Sequence, residues 1–238
     1  CHVPFSTLEW DACPDIILAQ DMHKRLARQL PDFFTLHIGG LADIEEPKIN
    51  EEKIFHLTAI FLSHKHFDHV GGITVFEYWP EKISVYGNIS VLGNFEITDK
   101  LYNNCKFHVL HDKESVKINH IKVKPFSVSH KVPTFGLIFK EGEKRIMHFS
   151  DKAENKLNDY EKRYLKKSDL AVFHTPGFDG GTDHIDVVHV LKIAEKYPST
   201  TFVLSHIGHN NMSHADLEKS VSSYGNVVVA YDGLTLQI

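Results

Sequence analysis

The feature that most constrains this chain is a junction. An apolar run, Leu57 to Leu62, ends abruptly in Ser63-His64-Lys65-His66-Phe67-Asp68-His69-Val70-Gly71-Gly72. Six apolar-rich residues are too few for a lone helix and suit a buried strand. The six residues from His64 to His69 hold three histidines and an aspartate. Side chains two apart on an extended segment point the same way, so His64 and His66 can grip one metal ion together. If the chain then turns into a helix, Asp68 and His69 swing toward a neighbouring position, so the spacing suits two adjacent metals. Gly71 and Gly72 allow a tight turn with backbone close to the site. A single histidine is usually a core or surface residue, but four ligand-type residues in this order at a strand end predict metal binding.

Composition supports a folded domain built around such a site. The 238 residues carry 18 histidines, and histidine is the commonest metal ligand. With 42% apolar and 24% charged residues, a core can form without disulfides. Cys1, Cys13 and Cys105 are an odd number at irregular spacing, which is no disulfide framework. The net charge of −5 argues against a general polyanion binder. No apolar run reaches the length of a membrane span and no signal peptide opens the chain, so a soluble, cytoplasmic protein is expected. No repeat, low-complexity tract or linker divides the chain, which predicts a single domain over 1–238.

Local patterns place the elements. Asp15 to Leu30 has apolar residues at helical spacing and stops at Pro31, which predicts a helix. Phe33 to Ile38 reads as a strand, and no strand is recognisable upstream of it. From Phe107 to Phe149 the chain is strand-like, with alternation at Val116, Ile118, Ile121 and Val123 and strands on either side of a Glu141-Gly142 turn. Helices are then expected over Glu154–Lys167, Ile185–Tyr197 and Ser213–Tyr224, the last opening on a Ser-x-x-Asp cap. Strands are expected over Asp169–Phe173, Thr201–Leu204 and Val227–Ala230. Strands first, then helices and strands in turn, give an α/β (α+β) chain of stacked sheets with helices outside. The lysine-rich stretches Lys113–Lys124 and Glu161–Lys167 read as solvated faces, Cys105 as a buried apolar residue, and His111, His120, His148 and His189 as core or surface.

His-x-His-x-Asp-His followed by Gly-Gly after an apolar strand resembles the signature of the metallo-β-lactamase superfamily. The resemblance implies an αββα sandwich of two mixed sheets with helices on the outer faces. It also implies three further ligands at strand ends, and His130, Asp151 and His206 stand at such positions. One metal would be held by His64, His66 and His130, the other by Asp68, His69 and His206, with Asp151 bridging. Five histidines and two carboxylates without a thiolate accommodate Zn²⁺, Mn²⁺ or Fe²⁺. Asp151 stands where several β-lactamases have a cysteine, which counts against that activity.

His130 through Gly136, Phe149-Ser150-Asp151, Thr182-Asp183-His184 and Ser205-His206-Ile207-Gly208-His209 are similar to the phosphodiesterase branch. That branch includes ribonuclease Z and the phosphoribosyl cyclic phosphodiesterases, and the likeness runs from about Phe33 to the end. It implies a hydrolase of a small cyclic ribose phosphate or nucleotide-like phosphodiester, acting through a hydroxide that bridges two metals. Asp68 would orient that nucleophile and His184 would protonate the leaving oxygen. It also implies a separate structural zinc on Cys1, Cys13 and His209, with His2 as a fourth candidate, within a divergent segment 1–32. His37 occupies a position where the branch usually has a carboxylate supporting a ligand, with Asp43 as a substitute if its loop folds back. His174, at a strand end, is a candidate substrate contact.

Other readings remain beside this one. A tRNA 3′-processing endonuclease would need a flexible basic arm, and none is found, so no long nucleic acid and no membrane is expected as partner. Thioester or lactone hydrolysis on the same metals is another enzyme reading. A metal-binding regulatory relative without turnover is the non-enzyme reading. A homodimer is the base-rate expectation for oligomeric state.

Overall fold

The computed structural model describes residues 7–10, 16–21, 34–39, 56–78, 82–94, 98–180, 183–208, 210–231 and 234–238. Two compact units divide the chain, Cys1–His111 with Asp232–Ile238, and Asp112–Tyr231.

The first unit is a seven-stranded mixed sheet. Its strands are β1 (Thr7–Trp10), β2 (Ile16–Asp21), β3 (Phe34–Gly39), β4 (His56–Leu62), β5 (Ile83–Gly87) and β6 (Cys105–Val109), with β14 (Thr235–Leu236) from the chain end. Their order is β14-β1-β3-β2-β4-β5-β6. Here the sequence reading is corrected: residues 16–21 are strand, not the start of a helix, and β1 lies further upstream still. β2 is central and antiparallel to both β3 and β4. Ile16-Ile17-Leu18-Ala19 is a continuous apolar run, which suits a strand paired on both sides as well as a buried helix. Pairing partners 13 to 46 residues away, invisible to local spacing, settle the competition.

Period-two alternation builds the core of this unit. Ile60 and Leu62 on β4 and Ile83 and Val85 on β5 point to one face. There they meet Ile73 and Phe76 of a 3-10 segment, Gly71–Tyr78, and Val91, Leu92 and Leu101 of two short helices. Those helices are α2 (Ile89–Leu92) and α3 (Asp99–Asn104), capped by the side chains of Asn88 and Thr98. On the opposite face Phe61, Tyr86 and His108 stack in register across β4, β5 and β6, with centroids 5.1 and 4.6 Å apart. Between β4 and the 3-10 segment lies a single turn, α1 (Phe67–Val70), which His66 precedes in extended conformation.

The second unit is another seven-stranded mixed sheet, ordered β13-β12-β11-β10-β9-β8-β7. Its strands are β7 (Val116–Ile118), β8 (Ile121–Val128), β9 (Thr134–Glu141), β10 (Lys144–His148), β11 (Leu170–His174), β12 (Thr201–Ser205) and β13 (Val227–Val229). β7 to β10 pair antiparallel in sequence, and β10 to β13 pair parallel. β8 and β10 are both antiparallel to β9, so β8, β10, β11 and β12 all run the same way. Their carboxyl ends open at one edge.

Four phenylalanines line one face of this sheet. Phe149 stacks on Phe173 at 4.1 Å, Phe173 on Phe202 at 6.0 Å, and Phe126 meets Phe149 edge-on at 5.6 Å. Helices α4 (Asp159–Leu165), α5 (Val187–Ala194) and α6 (His214–Val221) pack on that face through Leu165, Val190, Ala194 and Leu217. Gly136, paired with Phe126 across β8 and β9, leaves room for the ring: a Cβ there would lie 2.4 Å from Phe126 Cζ. The predicted Ser213 cap is present, its hydroxyl accepting from the Asp216 N–H. The helix expected over Glu154–Lys167 is shorter. Asn158 caps it at Asp159, its side chain accepting from the Glu161 N–H while the Glu161 carboxylate accepts from the Asn158 N–H. Lys113, Lys124 and Arg163 of the lysine-rich stretches lie over the rings of Tyr160 and Tyr164.

Candidate metal centre

Each unit gathers part of the expected donor set at the carboxyl ends of its strands. In the first unit β4 delivers His64 two residues beyond its end. His64 is fully buried, and His69, one turn on, is almost so. Ser63 Oγ lies 3.0 Å from His64 Nδ1 and fixes the ring, while Asn88 donates to the Ser63 carbonyl. His64 Nε2 then faces His66 Nδ1 at 2.9 Å, and the His64 and His69 rings lie 3.9 Å apart. Two imidazole nitrogens on one tetrahedral ion at 2.0–2.1 Å would stand about 3.3 Å apart, so this pair is close to a bidentate grip. The extended His66 and the helical turn after it bear out the local geometry expected from the spacing. Asp68, with a side chain 55% exposed, places Oδ2 3.4 Å from His69 Nε2.

In the second unit His130, Asp151, His174 and His206 emerge from the ends of β8, β10, β11 and β12, and His184 comes from the loop before α5. Asp151, almost fully buried, is the hub. Its Oδ2 lies 2.8 Å from His184 Nε2 and 3.7 Å from His130 Nε2, and its Oδ1 lies 2.9 Å from His174 Nδ1. Asp151, His184 and His206 each offer a donor atom within 4.8 Å of the others. A carboxylate and imidazoles converging in this way fit a divalent cation with nitrogen and oxygen preference.

The backbone is bent to achieve this. Ser150 and His206 take left-handed conformations, φ 52° and 56°. The Lys152 N–H closes a tight turn on the Ser150 carbonyl at 2.9 Å, with Asp151 at its apex. For residues with a Cβ such conformations are costly and occur where surrounding structure imposes them.

Sequence reasoning missed two supports. His174 is 1% exposed and turned to Asp151, so it is buried behind the carboxylate rather than placed as a substrate contact. Its signal was its position at a strand end beside two donors. Lys152, fully buried, reaches Glu161 Oε1 at 3.1 Å, and its carbonyl accepts from the Ile185 N–H at 2.6 Å. That one residue joins the Asp151 turn, the start of α4 and the residue after His184. Burial pushes the Glu161 carboxyl above its usual 4.5, against the pull of the Lys152 ammonium. At the rim Lys131, next to His130, bonds Asp183, next to His184, and holds that carboxyl below its usual 3.8.

The expected structural-zinc residues Cys1, His2, Cys13 and His209, with Asp43, lie outside the described residues; His37 is in β3, with its side chain outside the description. Cys105 is buried as expected, and burial raises its thiol to about 11. His148 is buried, His120 pairs with Glu141, and His189 pairs with Asp186 at the start of α5. Among the described residues no helix is long and apolar enough to cross a membrane.

Comparison with known proteins agrees with this architecture. A ribonuclease Z from Pyrococcus horikoshii is 30% identical over 126 residues, which are 47% of this chain and 39% of that protein. The chain thus matches about two-fifths of that relative's length. The metallo-beta-lactamase fold protein YhfI from Bacillus subtilis superposes with a TM-score of 0.65 at 19% identity, over 76% of this chain and 78% of its own. A diphosphatase of the PhnP family gives 0.63 at 20%, over 76% and 71%. These two likenesses establish the metallo-beta-lactamase fold. The family model described as the beta-lactamase superfamily domain matches residues 11–207, and the chain belongs to that family.

Proposed function

We propose that the chain is a metal-dependent phosphodiesterase acting on a small cyclic ribose phosphate or nucleotide-like phosphodiester. In this reading His64, His66, Asp68 and His69 of the first unit, with His130, Asp151 and His206 of the second, hold two divalent ions, Zn²⁺ or Mn²⁺ or Fe²⁺. The observation that carries the reading is the convergence, within 4.8 Å, of donors from Asp151 and His206 at strand ends and from His184 in the loop before α5. Likeness to a protein named ribonuclease Z supports a phosphodiester rather than a carbonyl substrate.

Metals bound there would supply an activated water and neutralise charge on the phosphoryl oxygens. The chain's own groups do the rest. Asp68 is the solvent-facing carboxylate of its cluster, placed to orient the attacking water by accepting its hydrogen. His184, whose Nε2 lies 2.8 Å from Asp151 Oδ2, passes a proton to the leaving alkoxide as general acid. His174 fixes the other oxygen of Asp151, so the carboxylate keeps one orientation as His184 changes charge. Ser63 does the same for His64.

The test is hydrolysis of bis(p-nitrophenyl) phosphate by chelator-stripped protein, with Mn²⁺ or Zn²⁺ restored separately, beside Asp68→Asn. Turnover should return with metal and fall at least a hundredfold in the variant. Cleavage of a thioester with no phosphodiester turnover under either metal overturns the substrate class. A second reading, tRNA 3′ processing, draws on the same relative. Release of a 3′ trailer from a precursor tRNA faster than hydrolysis of cyclic ribose phosphates would replace the first reading with it.

A further inference from the structure

Single exposed apolar side chains are ordinary on protein surfaces. Phe67 is set apart by its place and by what lies under it. Its side chain is 84% exposed, the most exposed large apolar residue among the described ones, and it sits between two candidate donors, His66 and Asp68. It is also the first residue of α1, so Gly71 is its neighbour one turn on along the same helix face.

The geometry at Gly71 fixes the attitude of the ring. A Cβ built on Gly71 would lie 3.0 Å from Phe67 Cζ, 3.1 Å from Cε2 and 3.2 Å from Cε1. Near-equal distances to three adjacent ring atoms put that point above the ring plane, since a point beyond Cζ in the plane would be much further from both Cε atoms. One face of the ring therefore rests on the glycine, and the other is open to solvent. Gly71 has an ordinary helical φ of −58°, so a Cβ here would leave the backbone unstrained but push the ring above it by a few tenths of an ångström. Left in water, such a face wastes the burial that a phenylalanine can provide; a flat apolar ligand group laid on it gains stacking and area burial together.

We propose that Phe67 is a specificity-determining platform, on which a planar aromatic part of the substrate, a nucleobase, stacks beside the phosphoryl group. This rests on the phosphodiesterase reading and narrows its substrate class to base-bearing phosphodiesters. The platform is sequence-tolerant, because every base presents a π face.

The test measures binding as well as turnover. Adenosine 2′-monophosphate and base-free methyl riboside 2-phosphate are titrated calorimetrically into metal-loaded wild type, Phe67→Ala, Phe67→Tyr and Gly71→Ala. Rates on adenosine 2′,3′-cyclic phosphate and its base-free methyl riboside counterpart accompany them. Stacking of one base on one ring is worth about 5- to 150-fold in affinity. Wild type should favour the adenosine ligand by that factor, and Phe67→Ala should lose the preference while binding the base-free ligand as before. Phe67→Tyr should keep the preference. Gly71→Ala should reduce it by crowding the ring. KM on the cyclic nucleotide should rise in Phe67→Ala with kcat within twofold. Equal affinity of wild type for both ligands, or an equal loss on both in Phe67→Ala, overturns the platform. Failure of wild type to hydrolyse either cyclic phosphate strikes the phosphodiesterase reading instead, and the calorimetry still decides the role of Phe67.

Discussion

The buried pair of Lys152 and Glu161 can be tested quantitatively. Both side chains are at most 1% exposed, Nζ lies 3.1 Å from Oε1, and the second oxygen of Glu161 accepts the Asn158 N–H at 2.8 Å. Glu154, the other carboxylate near Lys152, is 4.0 Å away and 66% exposed. Replacing Lys152 by Met keeps the volume of the chain but strands a carboxylate in the interior with one backbone donor. Breaking a buried pair from one side costs about 3–5 kcal/mol. For a protein of this length that is roughly 6–20 °C in melting temperature. Glu161→Gln strands the ammonium and should cost a comparable amount. The double variant Lys152→Met/Glu161→Gln removes both charges and leaves an amide oxygen for the Asn158 N–H, so it should be more stable than either single variant.

The pH profile gives a second signature. In Lys152→Met the folded-state pKa of Glu161 lies above its unfolded value, so the native state takes up the extra proton. Burial already raises Glu161 in the wild type, and losing the Lys152 ammonium raises it further. The deficit relative to wild type must therefore grow as pH climbs past the wild-type value, itself above 4.5, and shrink below it. Urea unfolding of all four proteins from pH 4.5 to 8 measures it. A single variant within 1 kcal/mol of wild type at pH 7, or a double variant equal to the sum of the singles, refutes the pair as described.

Three other outcomes follow from particular contacts. Gly136→Ala places a Cβ 2.4 Å from Phe126 Cζ and 2.8 Å from the His148 carbonyl; it should cost about 1–3 kcal/mol by urea midpoint, and a neutral result would show that the ring has room to move. His174→Ala frees one oxygen of Asp151 and should weaken metal binding about 10- to 100-fold in a chelator competition; unchanged affinity would remove its holding role. Cys105, with its thiol raised to about 11, should stay unalkylated by iodoacetamide at pH 8 in native protein and react after urea, as peptide mass spectrometry reads directly; rapid native labelling would contradict its burial.

What could be read from the sequence and what could not divide along one line, the range of the interaction. The donor-bearing junction after β4, the strands ending near His130, Asp151, His174 and His206, and the cap at Ser213 are local patterns, and they stand where expected to within a few residues. The β2 strand failed because its four consecutive apolar residues satisfy two periods at once, and only its pairing with β3 and β4 decides. The start of α4 was missed although Asn158-x-x-Glu161 is a capping signal, because the charged residues from Glu154 onward looked helical on their own. β5, β6, α2 and α3 are too short to carry a period. The roles of His174 and Lys152 depend on partners 23 and 9 residues away. Those are facts of packing, traced locally only by the place of His174 at a strand end.

The left-handed backbone at His206 has a thermodynamic consequence. At Ser150 a glycine would relieve the same conformation while leaving Asp151 in place. At position 206 no such exchange exists, because the residue that carries the conformational penalty is itself the candidate donor. A left-handed residue with a Cβ gives up about 1–2 kcal/mol relative to an ordinary one. His206→Gly should recover part of that while losing the imidazole. Position 206 is thus a point where selection for a working site and selection for a durable fold pull in opposite directions, and stability engineering of this chain would meet its first conflict there.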